Sequence, residues 1–163
     1  MMALDEHANS AELTITRLFD APRELVWRVW TDPSQLEHWW GPHACASTGC
    51  CVELRVGGAF RLDMHAPNGD TYPCRGTIRE VDAPCRLVIE GDPHSPHPCG
   101  AGLPPGAVVT VTLDAIGDQT RLTLHTRFRS TAAQRDADEA GYAVGWEATL
   151  DRLREHLADH HSI

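Results

Sequence analysis

Three closely spaced side chains, His94, His97 and Cys99, form the most chemically suggestive set in this sequence. Imidazole and thiolate are good zinc ligands. The three are separated by prolines, however, and no matched fourth ligand follows at a useful spacing. Cys45, Cys50 or Cys51 would complete a tetrahedron only if the fold carried one of them there, so no metal and no cofactor are expected. Nucleophilic catalysis needs a base and an orienting group beside the nucleophile. With six Cys and ten His, chance pairings are easy to draw, yet no string carries a known nucleophile motif. Cys50 and Cys51 are neighbours on an expected strand and point to opposite faces. Cys74 reads as a small buried hydrophobe. General acid–base work needs a polar group inside a cavity, for which Tyr72 and His125 are the candidates. His125 shares an outward phase with Thr123 and Arg127, and no catalytic residue is assigned.

The rest of the composition narrows the class. At 163 residues the chain fits one domain, and 42% apolar with 23% charged residues is ordinary for a soluble globular protein. No run approaches the roughly 18 apolar residues of a membrane span. Met1–Glu6 is acidic and lacks the basic and apolar regions of a signal peptide, so a cytoplasmic location with reduced thiols is expected. The net charge of −9 comes with no Lys at all. Such a field repels nucleic-acid phosphates and anionic lipid, which excludes both as expected partners.

Periodicity supplies the elements that would position a site. Glu12–Phe19 alternates as a strand, Asp20-Ala21-Pro22 breaks it, and a helix follows over 23–31 with Leu25, Val26, Val29 and Trp30 on its apolar side. Asp32-Pro33 starts a shorter helix through Leu36 to Trp40, ended by Gly41-Pro42. Neighbouring Trp39 and Trp40 cannot both point inward from a helix, so one is expected at a rim. From Thr48 the period becomes 2. Cys50, Val52, Leu54 and Val56 share one face, and Gly57-Gly58 turns the chain. Phe60, Leu62 and Met64 continue the apolar face against Arg61, Asp63 and His65. After the Pro67–Asp70 turn, Tyr72, Cys74, Gly76 and Ile78 alternate with Arg75, Thr77 and Arg79. A strand over 86–90 follows. The stretch 92–106 carries five Pro, three Gly, two His and a Cys with almost nothing to bury, and reads as a long loop. Strands over 108–113 and 120–128 form a last hairpin.

The C-terminal helical region begins at Ser130/Thr131, is interrupted near Gly141, and continues from Tyr142 to about Leu157. Its stripe of Ala143, Trp146, Leu150, Leu153 and Leu157 must lie on the sheet. Helices, then a run of strands, then a helix indicate an α+β fold with an antiparallel sheet. One domain over 12–158 is expected, with ragged tails at 1–11 and 159–163. The inward phases bring Phe60, Leu62, Met64, Tyr72, Cys74, Ile78, Ile89 and Phe128 to the space between sheet and helix. Trp39 and Trp40 are expected at one end, and Tyr142 and Trp146 come from the helix. An apolar space with few polar groups is what small-molecule sites look like, and a solid core is the competing outcome.

Several strings, taken in order, resemble one family. They are Phe19-Asp20-Ala21-Pro22-Arg23, Val26-Trp27, Trp30-Thr31-Asp32-Pro33, Trp39-Trp40-Gly41-Pro42, Leu54-Arg55-Val56-Gly57-Gly58-Ala59-Phe60-Arg61, Gly76-Thr77-Ile78 and Gly145-Trp146. Over about residues 12–158 the chain resembles small bacterial members of the SRPBCC (START-like) superfamily. The branch is that of the activator of heat-shock-protein ATPase homologue. The resemblance implies the helix-grip fold, a curved antiparallel sheet wrapped around the C-terminal helix with an apolar cavity between them. It implies no single reaction, because lipid and hormone binders, polyketide cyclases and co-chaperone domains share the superfamily. The 92–106 loop departs from the branch in length and in its Pro, His and Cys content.

The expectation is therefore a binder of a small hydrophobic or amphipathic molecule, with Trp39, Trp40, Phe60, Leu62, Met64, Tyr72, Cys74, Ile89, Phe128, Tyr142 and Trp146 as ligand contacts. One alternative is a co-chaperone-like interaction domain, which would use the outward Arg face of the sheet on a chaperone partner. The other is a cyclase- or hydrolase-like enzyme. Monomer and homodimer are both compatible with the pattern.

Overall fold

The computed structural model describes residues 11–41, 45–94 and 102–161, with the side chains of residues 160 and 161 excepted. The elements in order are β1 (Glu12–Phe19), α1 (Arg23–Thr31), α2 (Pro33–Trp39), β2 (Ala46–Val52), β3 (Ala59–His65), β4 (Thr71–Asp82), β5 (Arg86–Gly91), β6 (Val108–Ile116), β7 (Gln119–Arg127), α3 (Thr131–Glu139) and α4 (Tyr142–His161). One seven-stranded sheet runs β1-β7-β6-β5-β4-β3-β2, every neighbouring pair antiparallel. The strands from β2 to β7 pair in sequence order, and β1 adds to the far edge by pairing with β7. The two short helices must therefore carry the chain from one sheet edge to the other. This is the α+β helix-grip architecture. No described helix is long and apolar enough to cross a membrane.

Local chemistry explains the breaks. Asp32 is the N-cap of α2, its Oδ1 accepting from the Ser34 N–H at 3.0 Å, with Pro33 in the first turn where its missing N–H costs nothing. The bond from the Ser34 hydroxyl, and then that from its N–H, hold the Asp32 carboxyl below its ordinary range. Ser130 caps α3 the same way, accepting from the Ala133 N–H. Gly141, at φ +82°, takes the left-handed conformation that separates α3 from α4.

Trp146, Leu150, Leu153 and Leu157 are all buried, so the stripe on α4 faces the sheet as its spacing predicts. The inward phases of β3 and β7 also hold: Phe60, Leu62 and Met64 on one, Leu122, Leu124 and Thr126 on the other, are buried.

Three details differ from the pattern. Leu54 and Val56 do not extend a strand face, being 42% and 67% exposed. A bulge between Thr48 and Cys51, with Gly49 at φ +64°, shifts the register of β2. The strand then ends at Val52, and residues 53–58 close a tight loop. A Cβ on Gly58 would overlap the Glu53 carbonyl, so the second glycine of that turn is a steric requirement. Second, Trp39 and Trp40 are both fully buried. Trp39 ends the helix, while Trp40 sits on the C-cap with extended backbone (φ −69°, ψ 135°), which frees it from helical phase and lets both rings turn inward. Third, the segment after β5 does bury something. Leu103 is 2% exposed and lies over β4, where a Cβ on Gly76 would come within 2.7 Å of its Cδ1.

Candidate functional site

The inner face of the sheet and α4 enclose a cluster of aromatic rings. α1 supplies Trp30, the end of α2 supplies Trp39 and Trp40, β3 supplies Phe60 and α4 supplies Trp146. Trp30 stacks on Trp146 at 5.9 Å between centroids, with planes 11° apart. Trp40 stands edge-on to both, at 5.8 Å from Trp30 and 4.9 Å from Trp146, and touches Phe60 at 5.4 Å. Such edge-to-face and offset contacts are the geometries that the ring quadrupole favours.

The polar atoms of this cluster are not equally provided for. Trp39 donates its indole N–H to the Val29 carbonyl at 3.0 Å. The indole nitrogens of Trp30 and Trp40 are buried without a hydrogen-bond partner, whereas that of Trp146 faces the Tyr142 hydroxyl. A buried donor left unmade costs about 1–3 kcal/mol, so two in one cluster form a concentration of unmet polarity. Beside them Tyr142 Oη and Thr126 Oγ1 share a hydrogen bond of 2.7 Å, and Phe128 packs edge-on against the Tyr142 ring at 5.4 Å.

A second group lies further along the sheet. Leu62 pairs with Cys74, and Ile78 with Ile89, across adjacent strands. Leu103 covers them from the inside. Burial pushes the Cys74 thiol up to about 12, against weaker pulls from the Leu103 N–H and the Arg75 charge. Burial likewise raises Tyr142, more than its bonds from Thr126 and Trp146 lower it. Both groups stay neutral. No charged side chain is fully buried among the described residues.

The sequence-derived contact residues thus fall into three sets. Trp39, Trp40, Phe60 and Trp146 meet in the aromatic cluster, with Met64 approaching the backbone at Gly41. Tyr142 and Phe128 meet beside it. Leu62, Cys74 and Ile89 form the second group. Tyr72 is only half-buried, at the sheet margin opposite Met64, with its hydroxyl 3.3 Å from Asp70 Oδ2. Of the zinc-like set, His94 is exposed, whereas His97 and Cys99 lie outside the described residues. Among the described residues no three potential ligands converge on a metal position.

The sequence of the family described as "Activator of Hsp90 ATPase homolog 1-like protein" matches residues 20–158. The chain belongs to that family. Its fold is shared by protein NE0264 of Nitrosomonas europaea at 27% identity, covering 93% of this chain and 97% of the other with a TM-score of 0.80. A protein of Mycobacterium smegmatis is similar at 27% identity, 93% and 94% coverage and a TM-score of 0.79. An AHSA1-like protein of Aeromonas hydrophila matches at 25% identity, 92% and 94% coverage and 0.70. No functionally curated protein matches the chain.

Within this family member, three of four further contributors to the site escape a reading of the sequence by phase alone. Trp30 reads as an ordinary core anchor of α1, and only its ring partners reveal its place in the cluster. Thr126 was legible, because it follows Leu122 and Leu124 on the inward phase of β7. Leu103 was hidden in a segment rich in Pro and Gly. Arg152, on the polar side of α4, donates from Nη1 to the carbonyls of Gly41 at 2.9 Å, Cys45 at 3.0 Å and Trp40 at 3.4 Å, and from Nη2 to His38 at 3.3 Å. This fork ties the end of α2 to α4 and holds Trp40 over the cluster.

The outer face of the sheet is different in kind. Arg79 Nε pairs with Glu90 at 2.7 Å, Arg75 Nη2 with Asp63 at 2.9 Å and His125 Nε2 with Glu12 at 2.7 Å. Two grooves of about 350 Å³ each open there and meet at Arg79. Arg61 and Arg75 line one, and Arg86, His125 and Arg127 the other.

Proposed function

We propose that this domain binds a small hydrophobic or amphipathic molecule between its sheet and α4. The observation that carries this reading is the aromatic cluster with two buried, unpartnered indole N–H groups, those of Trp30 and Trp40. A core built only for stability gains nothing from leaving such donors unmade. The rings touch one another, so binding requires one of them to move. Trp30 and Trp146 are held within helices, whereas Trp40 follows a helix end, and its swing about the Arg152 tether is the motion that opens the cluster. Tyr72, Met64 and Cys74 extend the proposed contact surface along β3 and β4.

Native mass spectrometry of the freshly purified protein, compared with the denatured chain mass, tests this. An added mass of a few hundred daltons that leaves on denaturation supports the reading. A second measurement decides if the protein emerges bare: quenching of tryptophan fluorescence by a panel of apolar compounds. No quenching by any of them, with a bare native mass, sinks it.

A second reading, docking of a partner such as a chaperone, is favoured by the arginine-lined grooves on the outer face. Charge reversal of Arg61 and Arg79 would abolish that docking while leaving the inner face untouched.

A further inference from the structure

The class of ligand follows from which interior groups lack partners. Trp30 and Trp40 each present a buried N–H with nothing to accept it, although Trp39 in the same cluster is satisfied by a backbone carbonyl. Burial alone therefore does not explain the deficit. Indole nitrogen donates only, and cannot serve as an acceptor. Trp30 and Trp40 thus leave two buried donors without an acceptor.

Charge is missing as well. The buried polar side chains among the described residues are Ser47, Thr120, Thr126 and Thr149, all neutral. Thr120, Ser47 and Thr149 spend their hydroxyls on the carbonyls of Ala21, Trp40 and Gly145. The Arg152 guanidinium is directed at the carbonyls around α2. An anion brought inside would meet donors but no counter-charge, and would keep most of its desolvation cost.

We infer that the molecule bound by the aromatic cluster is an uncharged compound with at least one strong acceptor oxygen, of the ketone, quinone or ester type, its oxygen seated on the Trp30 and Trp40 indole N–H groups. This rests on the internal-binding reading above and narrows it. Pure hydrocarbons leave the donors unmet, and fatty-acid-like anions bring an unbalanced charge.

Three probes of one size separate these classes: acetophenone, ethylbenzene and phenylacetate. Each is titrated into the full chain labelled with nitrogen-15, following the five indole N–H resonances assigned by single Trp→Phe variants. Acetophenone is expected to bind at least tenfold more tightly than ethylbenzene and to move the Trp30 or Trp40 resonance downfield, with Trp39 unmoved. Phenylacetate is expected not to bind. Trp40→Phe keeps an aromatic ring, though a smaller one, and removes the N–H, and should erase the preference for acetophenone without weakening ethylbenzene. Trp30→Phe gives the same readout should the first variant fold poorly. Ethylbenzene binding as tightly as acetophenone, or phenylacetate binding more tightly than either, overturns the inference while internal binding stands. If none of the three binds, the inference falls, and internal binding falls with it where the native mass is also bare and no apolar compound quenches the tryptophans.

Discussion

Leu103 offers the sharpest test of how the inner space is closed. It lies in a segment whose composition suggests nothing buried, yet it is 2% exposed and rests on Gly76 and Ile89. Leu103→Ala should cost about 3 kcal/mol, as buried Leu truncations do when the cavity collapses only partly. That is roughly a 100-fold change in the folding equilibrium. The same substitution in a solvated loop would cost less than about 0.5 kcal/mol. The geometry supplies an internal check. A Cβ added at Gly76 would sit 2.7 Å from both Leu103 Cδ1 and Ile89 Cγ2, so Gly76→Ala should itself cost about 1–3 kcal/mol by overpacking. Removing the Leu103 branch relieves one of those two clashes. The double variant should therefore be more stable than the sum of the single losses, by about 1 kcal/mol. Urea unfolding of the four proteins measures all of this. A Leu103→Ala loss under about 0.5 kcal/mol, or strictly additive losses, would refute the packing of Leu103 on Gly76.

Other outcomes follow from the same contacts. Tyr142→Phe should cost about 1–2 kcal/mol by stranding the Thr126 hydroxyl, and Thr126→Val in that background should restore part of it, read by thermal unfolding. Arg152→Lys should lose most of the four-carbonyl fork, because an ammonium cannot reproduce the planar geometry, and hydrogen exchange at Trp40 and Cys45 should accelerate. Alkaline pH should destabilise the fold. Cys74 is held at about 12 when folded against 9.0 for the free thiol, so between those values the unfolded chain releases a proton that the native one keeps, and stability falls as pH rises. Tyr142, raised in the same direction, deepens the loss above its ordinary value of 10.0. Cys74→Ala should flatten the pH dependence of the urea midpoint from pH 9.0 upward, and an unchanged slope would count against the buried thiol.

The sheet and α4 were readable because each presents one wet and one dry face. Period 2 along β3 and β7, and spacings of 3 and 4 from Trp146 to Leu157, are consequences of half-burial, and they place the inner and outer sets correctly. What phase could not supply was anything set by a break in the regular backbone. Trp40 turns inward because the helix has ended, Leu54 and Val56 turn outward because β2 carries a bulge and stops, and Leu103 is buried by an irregular segment. The Arg152 fork was equally hidden, since its acceptors are backbone carbonyls that leave no mark in side-chain type. The contact residues were named from inward phase and resemblance. Their division into an aromatic cluster, a hydroxyl pair and an aliphatic group needed coordinates.

The pairing of β1 with β7 also has a bearing on synthesis. Among the described residues, β1 pairs only with β7, so it finds its sheet neighbour more than a hundred residues later, Glu12 facing Arg127. Trp146, which stacks on Trp30, arrives later still. Until then Trp30, Trp39 and Trp40 have no helix to cover them, and a nascent chain of this kind carries a sticky aromatic surface through nearly its whole production. Contacts so distant along the chain form slowly. Expression yield should therefore depend on chaperone supply and translation speed more than the native stability of the finished domain would suggest.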